Sequence, residues 1–596
     1  MLKRFLMNML SSFVGAWIAL LLFGLAAVLV GIGIAASFGS GADVPSVKSG
    51  SILSIDLSGV IEEVQKPADI DYISLAKGDM ERQKTLLELV TALQEASVNS
   101  NISAVYLKCG ALSAAPATLD ALRKALLDFK KSGKPVYAYG DVFTTGTYYV
   151  ATVADRIYAN PQGEIMVQGL SSTNLYMKGL FDKLGVTFQV VKVGKFKSAV
   201  EPYISQEMSE PARAQLDTLF GSMWKYIRTD MAASRKGVTP EDIDSLISVS
   251  NIAFASMKLA RESNLVDSLV YERKMDSILA SHLGLDVKKL NFVSPTLLVG
   301  QTSWGEAYDS KKQIAVLYAS GEIIDGGGLQ QIDYKEIVPR IVSLADDDNV
   351  KGMVLRVNSP GGSAFGSAQI GEALDYFQSK KKKIAVSMGD YAASGGYWIS
   401  SGADMIYADA LTITGSIGIF GLIPNIDGLT QKLGVTPQTV STNPGAEFPT
   451  LFKPMDERQL GVMQKYVERG YDDFVTRVAK GRKMKKEQVL AIAEGRVWNA
   501  MKAVQIGLVD SIGSMKNAID WVAANSGLGD NYDVAIYPRL EPSIWDIIPE
   551  LAGTASKVRE LGLLKEGADE TMLRLARRIL SQHPVQARMQ PVKLSM

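Results

Sequence analysis

The chain has one cysteine, Cys109, in 596 residues, which excludes an intrachain disulfide. It has only two histidines, His282 and His583. A serine–histidine–aspartate triad needs a histidine base. Neither histidine lies in the glycine-rich, repeated stretches; His282 reads as part of a helix end and His583 as a tail residue. The chain also has no histidine cluster and no Cys-x-x-Cys pair, so no zinc site of the usual spacing is encoded. Net charge is absent too: 63 basic residues balance 63 acidic ones, which removes bulk attraction to a polyanion, and no nucleic acid partner is expected. The run Lys380–Lys383 reads as a solvated helix end that complements the dipole.

Long uncharged runs are missing everywhere but near the start. Phe13 to Phe38 is 26 residues without a charge. As a helix it would reach about 39 Å, enough to cross a hydrocarbon core of about 30 Å with tilt. Lys3 and Arg4 precede it and Asp43 is the first charge after it. The positive-inside rule then keeps residues 1–12 in the cytoplasm and exports the rest. A cleaved signal peptide would usually have an apolar region of only about 7–15 residues. The expectation is therefore a retained transmembrane helix over 13–38 and a short linker over 39–50.

What the chain does have is glycine, 53 of them, and a repeat. Its length exceeds one core, and two domains of about 200–250 residues are expected. The stretch Asp141-Val-Phe-Thr-Thr-Gly-Thr-Tyr-Tyr-Val-Ala151 returns 249 residues later as Asp390-Tyr-Ala-Ala-Ser-Gly-Gly-Tyr-Trp-Ile-Ser400. The same spacing relates Ala154–Ala159 to Ala403–Ala408 and Lys183–Thr187 to Lys432–Thr436. Apolar strand patterns at Ile52–Leu57, Ala104–Leu107 and Pro135–Tyr139 have partners at Ile314–Tyr318, Gly352–Arg356 and Ile384–Ser387. Helical patterns lie between them at Leu119–Phe129 and Ile370–Phe377. Strands alternating with helices predict a parallel α/β layer fold. The division is a first copy over 51–293, a connector over 294–312, a second copy over 313–538 and a Pro-punctuated tail over 539–596.

The copies differ in chemistry. Ser394 of the second faces Thr145 of the first, and Lys197 of the first faces Ala446 of the second. Ser394 follows a strand and precedes an apolar helix, so it stands at a helix N-terminus, where it either caps the helix or acts as a nucleophile. The next amide, Gly395 N–H, suits a developing oxyanion. Asn358-Ser-Pro-Gly-Gly-Ser363 lies in the same copy, and its glycine pair lets amides converge. Gly362, or else Gly361, is the second oxyanion donor expected; such a donor contributes about 2.7–4 kcal/mol. Ser416, in Thr414-Gly-Ser-Ile-Gly-Ile-Phe420, either orients a base or is a turn serine. With histidine scarce, the base falls to a lysine. Lys197 and Lys195, in Gly194-Lys-Phe-Lys-Ser198, are the contenders, and an extended strand would turn both to one side. A base near pH 7–8 must titrate about three units below the usual lysine value of about 10.4, which apolar burial can cause.

Gly-Lys-Phe-Lys-Ser-Ala-Val-Glu-Pro-Tyr, Asn-Ser-Pro-Gly-Gly-Ser, Ala-Ala-Ser-Gly-Gly-Tyr-Trp-Ile-Ser and Leu-Thr-Ile-Thr-Gly-Ser-Ile-Gly-Ile-Phe-Gly occur in this sequence. Together they resemble the signal peptide peptidase A family in its long, duplicated form: membrane-anchored Ser–Lys peptidases. The resemblance implies two tandem Clp-protease/crotonase-like domains behind one transmembrane helix. It implies Ser394 as nucleophile, Lys197 as general base, Ser416 as the hydroxyl on the lysine, and Gly362 as an oxyanion donor. It further implies peptide substrates such as cleaved signal peptides, a homotetramer, and a single pass of a bacterial inner membrane with the catalytic copies outside. Ser–Lys chemistry requires no metal and no cofactor. Two rivals are an acyl-CoA enzyme of the crotonase type, which would need acidic catalytic residues, and a non-catalytic membrane scaffold.

Overall fold

Six of the seven residues from Gln313 to Ala319 are hydrophobic, and all seven are buried, as befits a strand covered on both faces. In this computed structural model, residues 47–64, 84–249, 255–299, 310–327, 331–538 and 585–588 are described. The span 13–38 and His583 lie outside them. Among the described residues, no helix is long and apolar enough to cross a membrane.

The first copy is built on strands β1 (Ser51–Glu62), β2 (Ile102–Ser113), β3 (Val136–Thr144) and β4 (Arg156–Met166), paired in that order and all parallel. Helices α1 (Leu86–Val98), α2 (Pro116–Lys130) and α3 (Thr145–Ala151) connect them. A short strand, β5 (Thr187–Lys192), and the long helix α4 (Glu210–Ala233) follow.

The second copy repeats the plan with β6 (Gln313–Ser320), β7 (Val350–Ser359), β8 (Gly361–Ser363) and β9 (Lys383–Ala393). Strands β6, β7 and β9 are parallel neighbours, and β10 (Ile413–Gly415) pairs in parallel with the last residues of β9. Helices α5 (Tyr334–Asp346), α6 (Ala364–Ser379), α7 (Gly395–Ser400) and α8 (Glu457–Gly481) pack around this sheet. The ladders keep the repeat's spacing: Val105 pairs with Val136, and Val354, 249 residues on, pairs with Ala385. Alternate residues serve opposite faces. Ala315, Leu317 and Leu355 join the large core that holds Phe474, and Ile314, Val316 and Val354 join the smaller one around Val522.

The copies are joined by a third sheet. Strand β11 (Phe420–Asn425) of the second copy runs antiparallel to β5 of the first, from Phe420 opposite Lys192 to Asn425 opposite Thr187. Gly185 and Gly428 cross beside this joint; a Cβ on Gly185 would lie 2.5 Å from the backbone of Gly428. A last strand, β12 (Val585–Arg588), lies between β8 and β11 and is antiparallel to both. The described residues from Gly50 onward form one compact unit.

The sequence patterns are too short at several ends. The third strand of the second copy continues to Ala393, up to the serine. The connector is not wholly irregular, since Pro295–Val299 is a helix against α1. The lysine run is not one helix end. Lys380 follows α6, Lys383 opens β9, and Lys382 Nζ donates to the carbonyls of Leu344, Ala345 and Asp347, at the end of α5.

Candidate active site

Strand β9 delivers Ser394 to the base of α7, fully buried. The serine has φ 56° and ψ −117°, a backbone that costs an L-residue of order 1–3 kcal/mol. Its amide donates to Gly415 O at 2.8 Å, which ties the turn to β10. Ser394 occupies the N-cap position, yet its side chain makes no capping bond. The hydroxyl goes instead to Lys197, whose Nζ lies 2.7 Å from Ser394 Oγ.

Lys197 comes from the loop after β5. Phe196 N–H donates to Glu494 O at 3.0 Å and Val193 N–H to Ile419 O at 3.1 Å, which folds this loop onto the second copy. Two glycines make the approach possible. A Cβ on Gly194 (φ +100°) would lie 2.4 Å from the backbone of Glu494, and one on Gly495 (φ +77°) 2.7 Å from Lys197 Cβ. The segment is a turn rather than a strand, which corrects the expectation that Lys195 and Lys197 share a side. Lys195 is exposed and pairs with Glu494 at 3.2 Å, whereas Lys197 is buried.

Lys197 Nζ donates to Ser416 Oγ and to Ser416 O, both at 3.1 Å. Ser416 has φ +50°, and its own amide is held by Arg496 O at 2.7 Å. Burial pushes the lysine well below its ordinary value, because desolvation disfavours the ammonium. The neutral amine this favours is what a general base requires.

Gly362, in β8, has φ +153°, and a Cβ there would lie 2.0 Å from Ile323 O. Gly395 opens α7 directly after the serine. Gly396 is fixed by contact: its Cβ would lie 2.6 Å from Ser359 O, so the turn and the Ser359–Gly362 stretch touch. His282 lies in the first copy, 2.9 Å from the Tyr158 hydroxyl.

Three groups escaped the reading of the sequence. Asn358 bonds across to the strand that carries Ser394. Glu63 of the first copy pairs with buried Arg356 of the second at 2.7 Å. Thr118, at the start of α2, donates its amide and hydroxyl to Asp390, both at 2.8 Å. No local signal marks these pairs, whose partners are far apart in sequence.

A buried serine in contact with a buried lysine, on a duplicated Clp-protease-like α/β frame, belongs to a serine peptidase. The model of Peptidase family S49 matches residues 128–286 and 376–529, and that of Clp protease matches 305–409. Protease 4 of Haemophilus influenzae is 38% identical over 460 residues, which covers 76% of this chain and 74% of that one. Protease 4 of Salmonella typhi is 34% identical, with 88% and 86% covered. A protein of Enterococcus faecium named putative signal peptide peptidase SppA is 36% identical over 37% of this chain and 66% of its own. The chain belongs to peptidase family S49, in the long form that carries the peptidase segment twice. A Listeria monocytogenes ClpP1 mutant superposes at TM-score 0.24 with 13% identity, over 35% of this chain and 95% of its own, too loose a fit to add to the fold described above.

Proposed function

We propose that the chain is a serine endopeptidase whose Ser–Lys dyad is divided between its copies. The first, 51–293, supplies the base Lys197, and the second, 313–538, supplies the nucleophile Ser394. The reading rests on one observation, the 2.7 Å approach of Lys197 Nζ to Ser394 Oγ in a buried site. Neutral Lys197 takes the hydroxyl proton as Ser394 Oγ bonds to the substrate carbonyl carbon. The amides of Gly362 and Gly395 hold the oxyanion. Lys197 then gives the proton to the departing amine as the C–N bond breaks. Water, deprotonated by Lys197, attacks the ester and frees Ser394. Ser416 holds the amine in line throughout.

The substrates proposed are cleaved signal peptides and other short, unstructured apolar peptides, in keeping with the name of the Enterococcus faecium relative. Such a peptide binds as an added strand between β8 and β11, the place that residues 585–588 of the chain itself take here. The segment 13–38 anchors the protein in a bacterial inner membrane, with the N-terminus inside, the copies outside and four chains to the assembly.

The test is Lys197→Ala with a fluorogenic apolar peptide, alongside Ser394→Ala. Each should lower kcat at least about 1,000-fold in a protein that still folds. Full turnover by Lys197→Ala would refute the dyad.

A further inference from the structure

Asn358 ends the regular part of β7, just before Ser359-Pro360-Gly361-Gly362. Here the ladder to β9 breaks. Val357 pairs with Met388, but Ser359 pairs with Ala392, so one residue of β7 faces three of β9. Such a bulge leaves backbone groups without ladder partners. The side chain of Asn358 takes over: its Oδ1 accepts from Tyr391 N–H at 3.1 Å, and its Nδ2 donates to Asp390 Oδ2 at 3.2 Å and to Glu63 Oε2 at 3.3 Å. Asp390 is held from the first copy by Thr118, and Glu63 is itself a first-copy residue. One amide therefore bonds to the strand that ends in Ser394, to a carboxylate across the joint, and stands beside the strand that carries Gly362.

The first copy is a built-in control. Cys109 stands where Asn358 stands, and the ladder there stays in register through Cys109 opposite Gly140. The Cys109 thiol is buried and reaches Leu107 O only at a long 3.9 Å. The fold is thus made without an amide at this position, in the copy that has threonine in place of the serine.

We infer that Asn358 is a positioning residue for the peptidase reaction, setting the oxyanion strand at its working distance from Ser394. The inference rests on the Ser–Lys reading. It follows that loss of the amide lowers kcat while substrate still binds, because a displaced donor matters most when the oxyanion forms.

The experiment compares the full chain with Asn358→Cys and Asn358→Asp on one fluorogenic peptide. Asn358→Cys, which installs the first copy's own residue, should lower kcat about 100-fold with KM changed less than about threefold. Asn358→Asp adds a pH readout. The introduced carboxyl faces Glu63 and Asp390, with Arg356 beyond Glu63 and Asp409 and Lys124 behind Arg356. Protonated, it donates as the amide does; ionised, it repels Asp390. The ratio of variant to parent kcat should therefore fall as pH rises. Unchanged kcat in Asn358→Cys, or a pH-independent ratio in Asn358→Asp, overturns the inference. If Lys197→Ala remains active, the Ser–Lys reading fails; if Lys197→Ala is dead and both Asn358 variants behave as the parent, only the positioning role fails.

Discussion

The turn after β3 and the turn after β9 are the same element met twice. In the first, Thr144 caps α3 by accepting from Thr147 N–H at 3.2 Å, and Thr145 Oγ1 accepts from Gln168 N–H at 2.9 Å. Thr147 fills the space against β2 by donating to Gly110 O at 2.7 Å. In the second, glycine replaces that threonine as Gly396, and serine replaces that glycine as Ser359, whose hydroxyl accepts from Gly361 N–H at 3.1 Å. Side-chain bulk has moved from the helix to the end of β7. The first turn spends its hydroxyls on backbone groups of its own copy. The second leaves Ser394 uncapped, at positive φ, with its hydroxyl on a lysine from elsewhere. A turn satisfied within its own copy is stable and inert, while one left unsatisfied there is completed by the other copy.

Transplanting residues between the turns tests this contrast. The largest effect is expected for Gly396→Thr, the first copy's residue. Its Cβ would meet the carbonyl of Ser359 at 2.6 Å, and backbone cannot give way cheaply. Turnover of the fluorogenic peptide should fall at least about 100-fold; near-parent kcat would show that the contact between turn and strand is dispensable.

The next effect concerns pH. Lys197 titrates well below its usual value because it is buried, and only its neutral form accepts the serine proton. On the acid side, kcat/KM should rise about tenfold per pH unit and level off well below pH 10.5. A Lys195→Ala chain should trace the same curve, since Lys195 is exposed and paired with Glu494. A displaced curve in that chain would return Lys195 to contention.

The smallest effect is expected from Thr145→Ser in a chain that also carries Ser394→Ala. Thr145 Oγ1 donates to Met166 O and accepts from Gln168 N–H, with no lysine partner among the described residues, and the residue that matches Lys197, Ala446, lies exposed in a loop. A fluorophosphonate probe should leave position 145 unlabelled. Labelling there would mean that the first turn is reactive in itself.

Much of this was legible in the sequence because the repeat aligns the copies without gaps from Val105 to Thr187. Substitutions at matching positions, Ser394 for Thr145 and Lys197 against Ala446, then mark the chemistry directly. The parallel strands were legible as short apolar runs, since burial on both faces removes polar alternation. The residue pattern by itself left Lys195 and Lys197 both open, and only the family resemblance chose Lys197; the structural cause is a turn pinned by Gly194 against Glu494 and by Gly495 against the lysine stem. Asn358 was hidden for another reason: its work depends on a break in register and on partners contributed by the first copy. The strand at Val585–Arg588 is four residues long and pairs with strands more than 150 residues away, beyond any local periodicity.

The joint between β5 and β11 lies within a single polypeptide. Were the copies separate molecules, meeting of base and nucleophile would be bimolecular and would fade on dilution. Tethered in one compact unit, they meet at an effective concentration set by the chain and not by the solution. Each molecule therefore carries its amine and hydroxyl in fixed one-to-one proportion, and activity per chain should survive dilution as far as the joint itself holds.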